Sequence, residues 1–391
     1  MNAPNPSLAA NWNYPTAVKA GPGRIRELPR HCRDLGMRRP LLVTDPGLAP
    51  LPIVTDAVRA CRDDGLDCGL FSGIKGNPTG RNVEDGVAAF RAGGHDGVIA
   101  FGGGSALDAA KAIALMAGQS RPLWDFEDIG DNHLRVDVQG MAPVVAVPTT
   151  AGTGSEVGRA SVITDEDAHV KRIIFHARML PALVILDAEL TVALPARLTA
   201  ATGMDALSHN LEALCSPVHH PMAAGIGMEG SRLVHQYLRR AVEDGRDLEA
   251  RHQMLVASSM GATAFQKGLG AMHALAHPLG ALYDAHHGML NAILMPYVLK
   301  ANESAVGDTM ARLARYLDLP KPGVAGVLDW VLALRESIGI PHALAAIGIP
   351  DAAVGVVGAL AVRDGSAATN PIPFTPKEYD RILRDAIDGT L

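Results

Sequence analysis

Four histidines, His273, His277, His286 and His287, fall in the glycine-spaced apolar stretch GLGAMHALAHPLGALYDAHHGMLNAILM from Gly268 to Met295. A fifth, His209, follows Asp205 by four residues in TGMDALSHNLEAL. Imidazoles at this density among Leu, Ala and Met point to a metal site in a buried pocket. Residues four apart share one face of a helix, so Asp205 and His209 would present a carboxylate and an imidazole together, and His273 and His277 repeat the spacing. A carboxylate combined with imidazoles suits a divalent first-row metal such as Fe, Zn, Co or Ni better than Ca or Mg, which take oxygen shells. At most two of the four downstream histidines are needed, and spacing alone does not choose them. His219, His220 and His252 stand in polar sequence and read as solvated. Neither HExxH nor CxxC occurs, which excludes the zincin and zinc-ribbon patterns.

A second chemistry lies in GVIAFGGGSALDAAKAIALM. Gly102, Gly103 and Gly104 join an apolar strand to an Ala-rich helix, where backbone can approach an anion at the helix N-terminus. Ser105 reads as the N-cap and Asp108, three residues on, as a variant of the capping box. Leu107 breaks GxGxxG, and Ala106 with Leu107 breaks a Walker A loop. In VVAVPTTAGTGSE, the hydroxyls of Thr149, Thr150, Thr153 and Ser155 follow another strand, at the carboxyl edge where open α/β sheets bind ligands. Asp45 closes the strand LLVTD at the same edge. Its carboxylate suits an adenosine ribose, favouring NAD over NADP, and equally suits a turn cap.

These residues need two kinds of scaffold. Between about residues 40 and 190, short strand-like runs (RPLLVTD, DCGLFSG, DGVIAFG, APVVAVPTT, ALVILDAEL) alternate with helical patterns, the signature of a mostly parallel sheet. SVITDEDAHVKRIIF reads as a hairpin turning at Asp165 to Asp167. Beyond Pro195 the segments are Ala/Leu/Met-rich and amphipathic, ending in the loop NPIPFTP and a helix KEYDRILRDAI. The expectation is an α/β dinucleotide-binding domain over residues 1–192 and an all-helical metal-binding domain over 193–391. A length of 391 residues with 48% hydrophobic residues accommodates both. A net charge of -6, 4% aromatic residues and no basic run argue against a nucleic-acid groove. The opening MNAPNPSLAANWNYP has no basic segment leading into an apolar one, and no apolar run reaches membrane-spanning length. Cys32, Cys61, Cys68 and Cys215 lack framework spacing and read as reduced thiols. A cytoplasmic protein is the expectation.

Taken in order, VTD at Asp45, GNPT at Asn77, GGGSALDAAKAIA, PTTAGTGSEV, ATGMDALSH and HALAHPLGALYDAHHG resemble the iron-containing (group III) alcohol dehydrogenase family nearly end to end. The resemblance implies a dehydroquinate synthase-like superfamily fold and hydride transfer between NAD(H) and a primary alcohol/aldehyde pair or a small hydroxy acid. It implies Fe2+, with Zn2+ as the alternative, held by Asp205, His209, His273 and His287. His277 would then serve a proton relay, and His286 would be a neighbour. Asp45, Asn77, Gly104, Ser105, Asp108, Thr149, Thr150, Thr153 and Lys171, with the Gly103 backbone, would line the NAD site. A homodimer or larger homo-oligomer is a family expectation. The chain departs from relatives at Gly158, Arg159 and Ala160, and in FQKGLGAMH, which is one residue shorter before His273. The rival readings are a zinc-dependent glycerol dehydrogenase, a 3-dehydroquinate synthase-like lyase, and a hydroxyacid-oxoacid transhydrogenase in which Arg159 would pair a carboxylate.

Overall fold

The computed structural model describes residues 13–168 and 170–391. Most of the opening segment read above for a leader lies outside the described residues. Two compact units are present, one spanning Pro15–Leu194 and the other Pro195–Leu391 together with Asn13 and Tyr14.

The first unit contains β1 (Ala17–Ala20), α1 (Leu28–Asp34), β2 (Pro40–Val43), α2 (Pro52–Asp63), β3 (Gly69–Phe71), α3 (Gly80–Ala92), β4 (Gly97–Gly102), α4 (Gly104–Met116), β5 (Val144–Pro148), β6 (Ala160–Asp165), β7 (Val170–Phe175) and β8 (Leu183–Leu186). Six strands form one sheet in the order β1-β8-β5-β4-β2-β3, with every neighbouring pair parallel. Strands β2, β4, β5 and β8 are buried at every residue, which is why they read as unbroken apolar runs rather than alternating ones. Leu42, Ile99, Phe101, Val145, Val147 and Ile185 pack against Leu28 and Cys32 of α1 and Val54 and Cys61 of α2. All four cysteines are free thiols. From β2 the chain steps outward to β3, and from β4 it steps the other way to β5. The carboxyl ends of neighbouring β2 and β4 therefore form a topological switch point, where α/β sheets bind ligands. The hairpin β6–β7 is antiparallel, and Asp165 Oδ1 accepts the Asp167 and Ala168 amides at its turn.

Two local expectations need correcting here. Helix α4 begins at Gly104 with Gly103 in the N-cap position, and no side chain caps it. The glycine run lets the backbone enter the helix one residue early, so Ser105 sits in the first turn and Asp108 turns elsewhere. Strand β1 and the seven-residue α1 escaped the pattern reading, because elements this short carry no resolvable period.

The second unit is all helical. It contains α5 (Ala196–Cys215), α6 (Pro221–Glu243), α7 (Leu248–Ala264), α8 (Ala271–Tyr283), α9 (His287–Ala301), α10 (Glu303–Tyr316), α11 (Gly323–Ser337), α12 (Val356–Ala361) and α13 (Pro376–Asp388). Helices α5, α8 and α9 are buried along most of their length, which fits sequences apolar on nearly every face. His220 is not solvated: it is buried, and its Nδ1 accepts the Ala223 amide at the start of α6. His219 and His252 are half-buried. His286 caps α9, accepting from the Met289 amide. Among the described residues no helix is long and apolar enough to cross a membrane.

Gly288 sets the approach of α9 to α5. A Cβ at this position would stand 2.5 Å from the Ala201 carbonyl oxygen and 3.1 Å from Asp205 Cβ. Neither atom is the end of a flexible side chain. Gly288→Ala should therefore destabilise the helical unit by about 1–3 kcal/mol, read as a lowered Tm or denaturant midpoint. An unchanged midpoint would show that α9 does not depend on this close approach.

Candidate active site

Three helices bring a carboxylate and two imidazoles together inside the helical unit. Asp205 from α5, His273 from α8 and His287 from the first turn of α9 present ligand atoms that all lie within 4.8 Å of one another. Asp205 Oδ1 and His287 Nε2 are 3.6 Å apart, and Asp205 and His273 are buried. His209, one helical turn after Asp205, is outside that trio. Its ring lies nearly parallel to His273, with centroids 4.8 Å apart, and edge-on to Phe265.

Glu212, two turns along α5 from Asp205, fixes how His273 is presented. Its Oε2 lies 2.6 Å from His273 Nδ1, and its Oε1 accepts the Met272 amide at 2.7 Å. With Nδ1–H donated to this buried carboxylate, His273 Nε2 is left as the lone-pair nitrogen facing Asp205 and His287. Burial opposes charge on His273, but Glu212, then Asp205 and Asp364, outweigh it and raise the pKa. Asn291, one turn after His287, donates from Nδ2 to Asp205 Oδ1 at 2.8 Å.

His277 faces a different carboxylate. Its Nδ1 lies 2.8 Å from Asp364 Oδ2, while its ring stacks on His287 with centroids 5.5 Å apart. Burial pushes the Asp364 carboxyl up, but His277 and the Ser366 amide hold it down at about 2. An ionised Asp364 accepts, so Nδ1 donates and Nε2 remains the nitrogen open to proton exchange.

In the α/β unit the two loops expected to bind a nucleotide abut. The Thr149 amide donates to the Gly102 carbonyl at 2.9 Å. A Cβ on Gly103 would touch the Thr150 side chain at 3.4 Å, and one on Gly104 would stand 2.5 Å from Thr153 Cγ2. Thr153 Oγ1 in turn accepts the Ser155 amide. Lys171 on β7 is half-buried and donates to Asn77 Oδ1 at 2.8 Å. Asn77 itself adopts the left-handed region, with φ 51°. Asp45 Oδ1 accepts the Gly47 and Leu48 amides, so the turn-cap role applies to that oxygen. Asp108 is committed to protein on both oxygens: Oδ1 accepts from Ser155 Oγ and pairs with Lys111 at 3.2 Å, and Oδ2 accepts the Val162 amide. Its position is that of a brace between α4, the Thr/Ser loop and β6. Lys111, fully buried, also donates to the Ser155 and Ala160 carbonyls. The Arg159 guanidinium lies 5.6 Å from the Phe175 ring centroid.

Glu212, Asn291, Asp364 and Lys111 were missed by sequence reasoning. Asn291 follows His287, and Glu212 follows Asp205, at helical spacing, so both carried a faint signal. Asp364 is 87 residues from its partner His277 and carried none.

The iron-containing alcohol dehydrogenase profile matches residues 15–188, and the profile of that family's C-terminal region matches residues 199–387. The chain belongs to the iron-containing alcohol dehydrogenase family. A 4-hydroxybutyrate dehydrogenase of Cupriavidus necator is 38% identical over 384 residues, covering 96% of this chain and 99% of the relative. An NAD-dependent methanol dehydrogenase of Bacillus methanolicus is 33% identical, covering 96% and 100%. The crystal structure of a 1,3-propanediol oxidoreductase superposes with a TM-score of 0.92 at 35% identity, over 97% of this chain and 100% of that one. This iron-containing alcohol dehydrogenase is accordingly an oxidoreductase acting on alcohol and aldehyde substrates. Its donor set fits the metal in the family name: one carboxylate, imidazole nitrogens, and a backing carboxylate that leaves His273 Nε2 as a lone-pair donor.

Glu212→Gln keeps the shape of the backing side chain and weakens its hold on Nδ1–H. Divalent-cation affinity, measured by chelator competition, should fall roughly 10- to 100-fold with the circular dichroism spectrum unchanged. Undiminished affinity would remove Glu212 from the support of the site.

Proposed function

We propose that this iron-containing alcohol dehydrogenase oxidises primary alcohols and reduces the matching aldehydes, using NAD(H) and a divalent cation held by Asp205, His209, His273 and His287. The observation that carries the reading is the convergence of buried Asp205 and His273 with half-buried His287. When bound, the cation, Fe2+ by family and Zn2+ as the alternative, supplies a Lewis acid for the substrate oxygen, and NAD supplies the hydride acceptor.

The rest falls to the chain's own side chains. Asp205 provides the anionic donor, and Glu212 keeps His273 Nε2 aimed at the site. His277, its Nδ1–H held by Asp364, presents Nε2 as the atom that takes the hydroxyl proton in oxidation and returns it in reduction. In the α/β unit, the backbone of Gly103 and Gly104 with Ser105, Thr149, Thr150 and Thr153 is the proposed pyrophosphate cradle. Asn77 and Lys171 are proposed for a ribose, and Asp45 for the adenosine ribose, where a 2'-phosphate would meet a like charge. Asp108 serves this cradle through Ser155 and Val162. The likeness to a 4-hydroxybutyrate dehydrogenase supports small hydroxy acids as a second substrate class. The family resemblance extends the proposal to a homodimer or larger homo-oligomer in the cytoplasm.

The test is an NAD-linked screen of primary alcohols, diols and hydroxy acids on the purified protein and on Asp364→Asn. NADH should form with the wild type, and Asp364→Asn should lower kcat roughly 10- to 100-fold with bound metal unchanged. An unaltered kcat would exclude the His277–Asp364 pair from proton transfer. Absence of net NADH, with exchange between two organic acids, would favour the transhydrogenase.

A further inference from the structure

Helix α8 carries both His273 and His277, yet its own sequence does little to fix where it starts. Its N-cap is Gly270, which has no side chain to cap with, and Pro278 withholds an N–H from the Ala274 carbonyl within it. The orphan amides of its first turn are met from elsewhere in the chain. Glu212 Oε1 takes that of Met272, and Asn370 Oδ1 takes that of Ala271 at 3.0 Å. A Cβ on Gly270 would stand 2.8 Å from Asn370 Oδ1 and 3.0 Å from Glu212 Oε1, so these acceptors fill the place of a capping side chain.

Asn370 belongs to the segment 364–370, DGSAATN, which holds α8 at three levels. Thr369 Oγ1 donates to the Leu269 carbonyl at 2.7 Å, just before the helix. The Thr369 side chain also closes over Gly268, which has φ 117° and no room for a Cβ. Asn370 takes the first helical amide, and Asp364 holds His277 Nδ1 nearly two turns along. The segment is in turn fixed to Asn302, the residue after α9, by a reciprocal amide pair. Asn302 Nδ2 donates to Asn370 Oδ1 at 3.1 Å, and Asn370 Nδ2 donates to Asn302 Oδ1 at 2.9 Å, with both side chains buried.

We propose that segment 364–370 is a clasp that sets α8 against α9, and that Thr369 and Asn370 are positioning residues for His273 and His277. The inference rests on the reading of these histidines as metal ligand and proton carrier. The same seven residues hold the start of the helix and orient His277 through Asp364. A shift of α8 within the clasp therefore moves both imidazoles at once relative to their acids, and a misplacement of about 1 Å suffices to cost catalysis about 100-fold.

Thr369→Val keeps the side-chain volume and deletes the hydroxyl, Thr369→Ser keeps the hydroxyl, and Asn370→Leu deletes the cap and the amide pair. Each is compared with wild type in two ways: hydrogen–deuterium exchange across residues 268–277 of the cation-free protein, and NADH formation by the iron-loaded protein from the best primary alcohol of the wild-type screen. Thr369→Val and Asn370→Leu should exchange faster across 268–277 with the α6 and α7 peptides unchanged, and should lose kcat about 10-fold or more with KM for NAD unaltered. Thr369→Ser should match wild type in both. Wild-type kcat in Thr369→Val and Asn370→Leu would overturn the proposal, as would a loss that Thr369→Ser shares or exchange that quickens equally across α6 and α7. If Asn370→Leu does not fold, the two Thr369 variants decide. Wild-type NADH formation that survives removal of divalent cations would overturn the metal reading alone, and exchange in the cation-free variants would still judge the clasp.

Discussion

Burying the Asp205 carboxylate in the helical unit is the constraint on which the rest of the site depends. An ionised carboxylate away from water is stable only when charge and hydrogen bonds compensate it. Here the compensation comes from another helix: Asn291 of α9 donates to Oδ1 at 2.8 Å. That arrangement requires α9 to press against α5 at Gly288, and α8 to turn His273 toward the same point while Glu212 holds its far nitrogen. The Lewis acid that such a group of donors can hold is what converts a packed helical core into a site for alcohol chemistry.

A second carboxylate–imidazole pair stands beside the first and has a different task. Glu212 and Asp364 each take the Nδ1 side of a histidine, His273 and His277, one turn apart on α8. In the first pair the free nitrogen faces Asp205 and His287 and suits coordination. In the second the ring stacks on His287, and the remaining nitrogen suits a proton. One helix thus presents the proposed ligand His273 and the proposed proton carrier His277 on adjacent turns, each held by its own acid. The α/β unit uses other physics. There the close approach of Gly104 to Thr153, braced by Asp108 and buried Lys111, shapes backbone amides and hydroxyls beside the switch point of the sheet.

Much of this was legible in the residues. The parallel sheet followed from apolar runs too continuous for a half-exposed strand, and the helical half from the loss of such runs after Pro195. Helical spacing offered Asp205 with His209, of which Asp205 falls in the trio with His273 and His287 and His209 does not, whereas the choice of His287 over its neighbour His286 came from family resemblance. The structure supplies a local reason for the difference: His286 spends its Nδ1 on the Met289 amide as the cap of α9. What stayed hidden depends on partners far apart in sequence. Nothing near Asp364 announces His277, and nothing near His220 announces that it is buried as the cap of α6. Ser105 and Asp108 misled for a related reason. A capping box is a local pattern, and here the glycine loop starts the helix early while β6 and Ser155 claim the aspartate.

The most direct measurement of the central claim is NADH formation from a primary alcohol before chelation, after removal of divalent cations to background, and after readdition of Fe2+. The account predicts activity in the protein as purified, its loss with the cation and its return on reloading. Undiminished NAD-linked oxidation by the cation-stripped protein would contradict it.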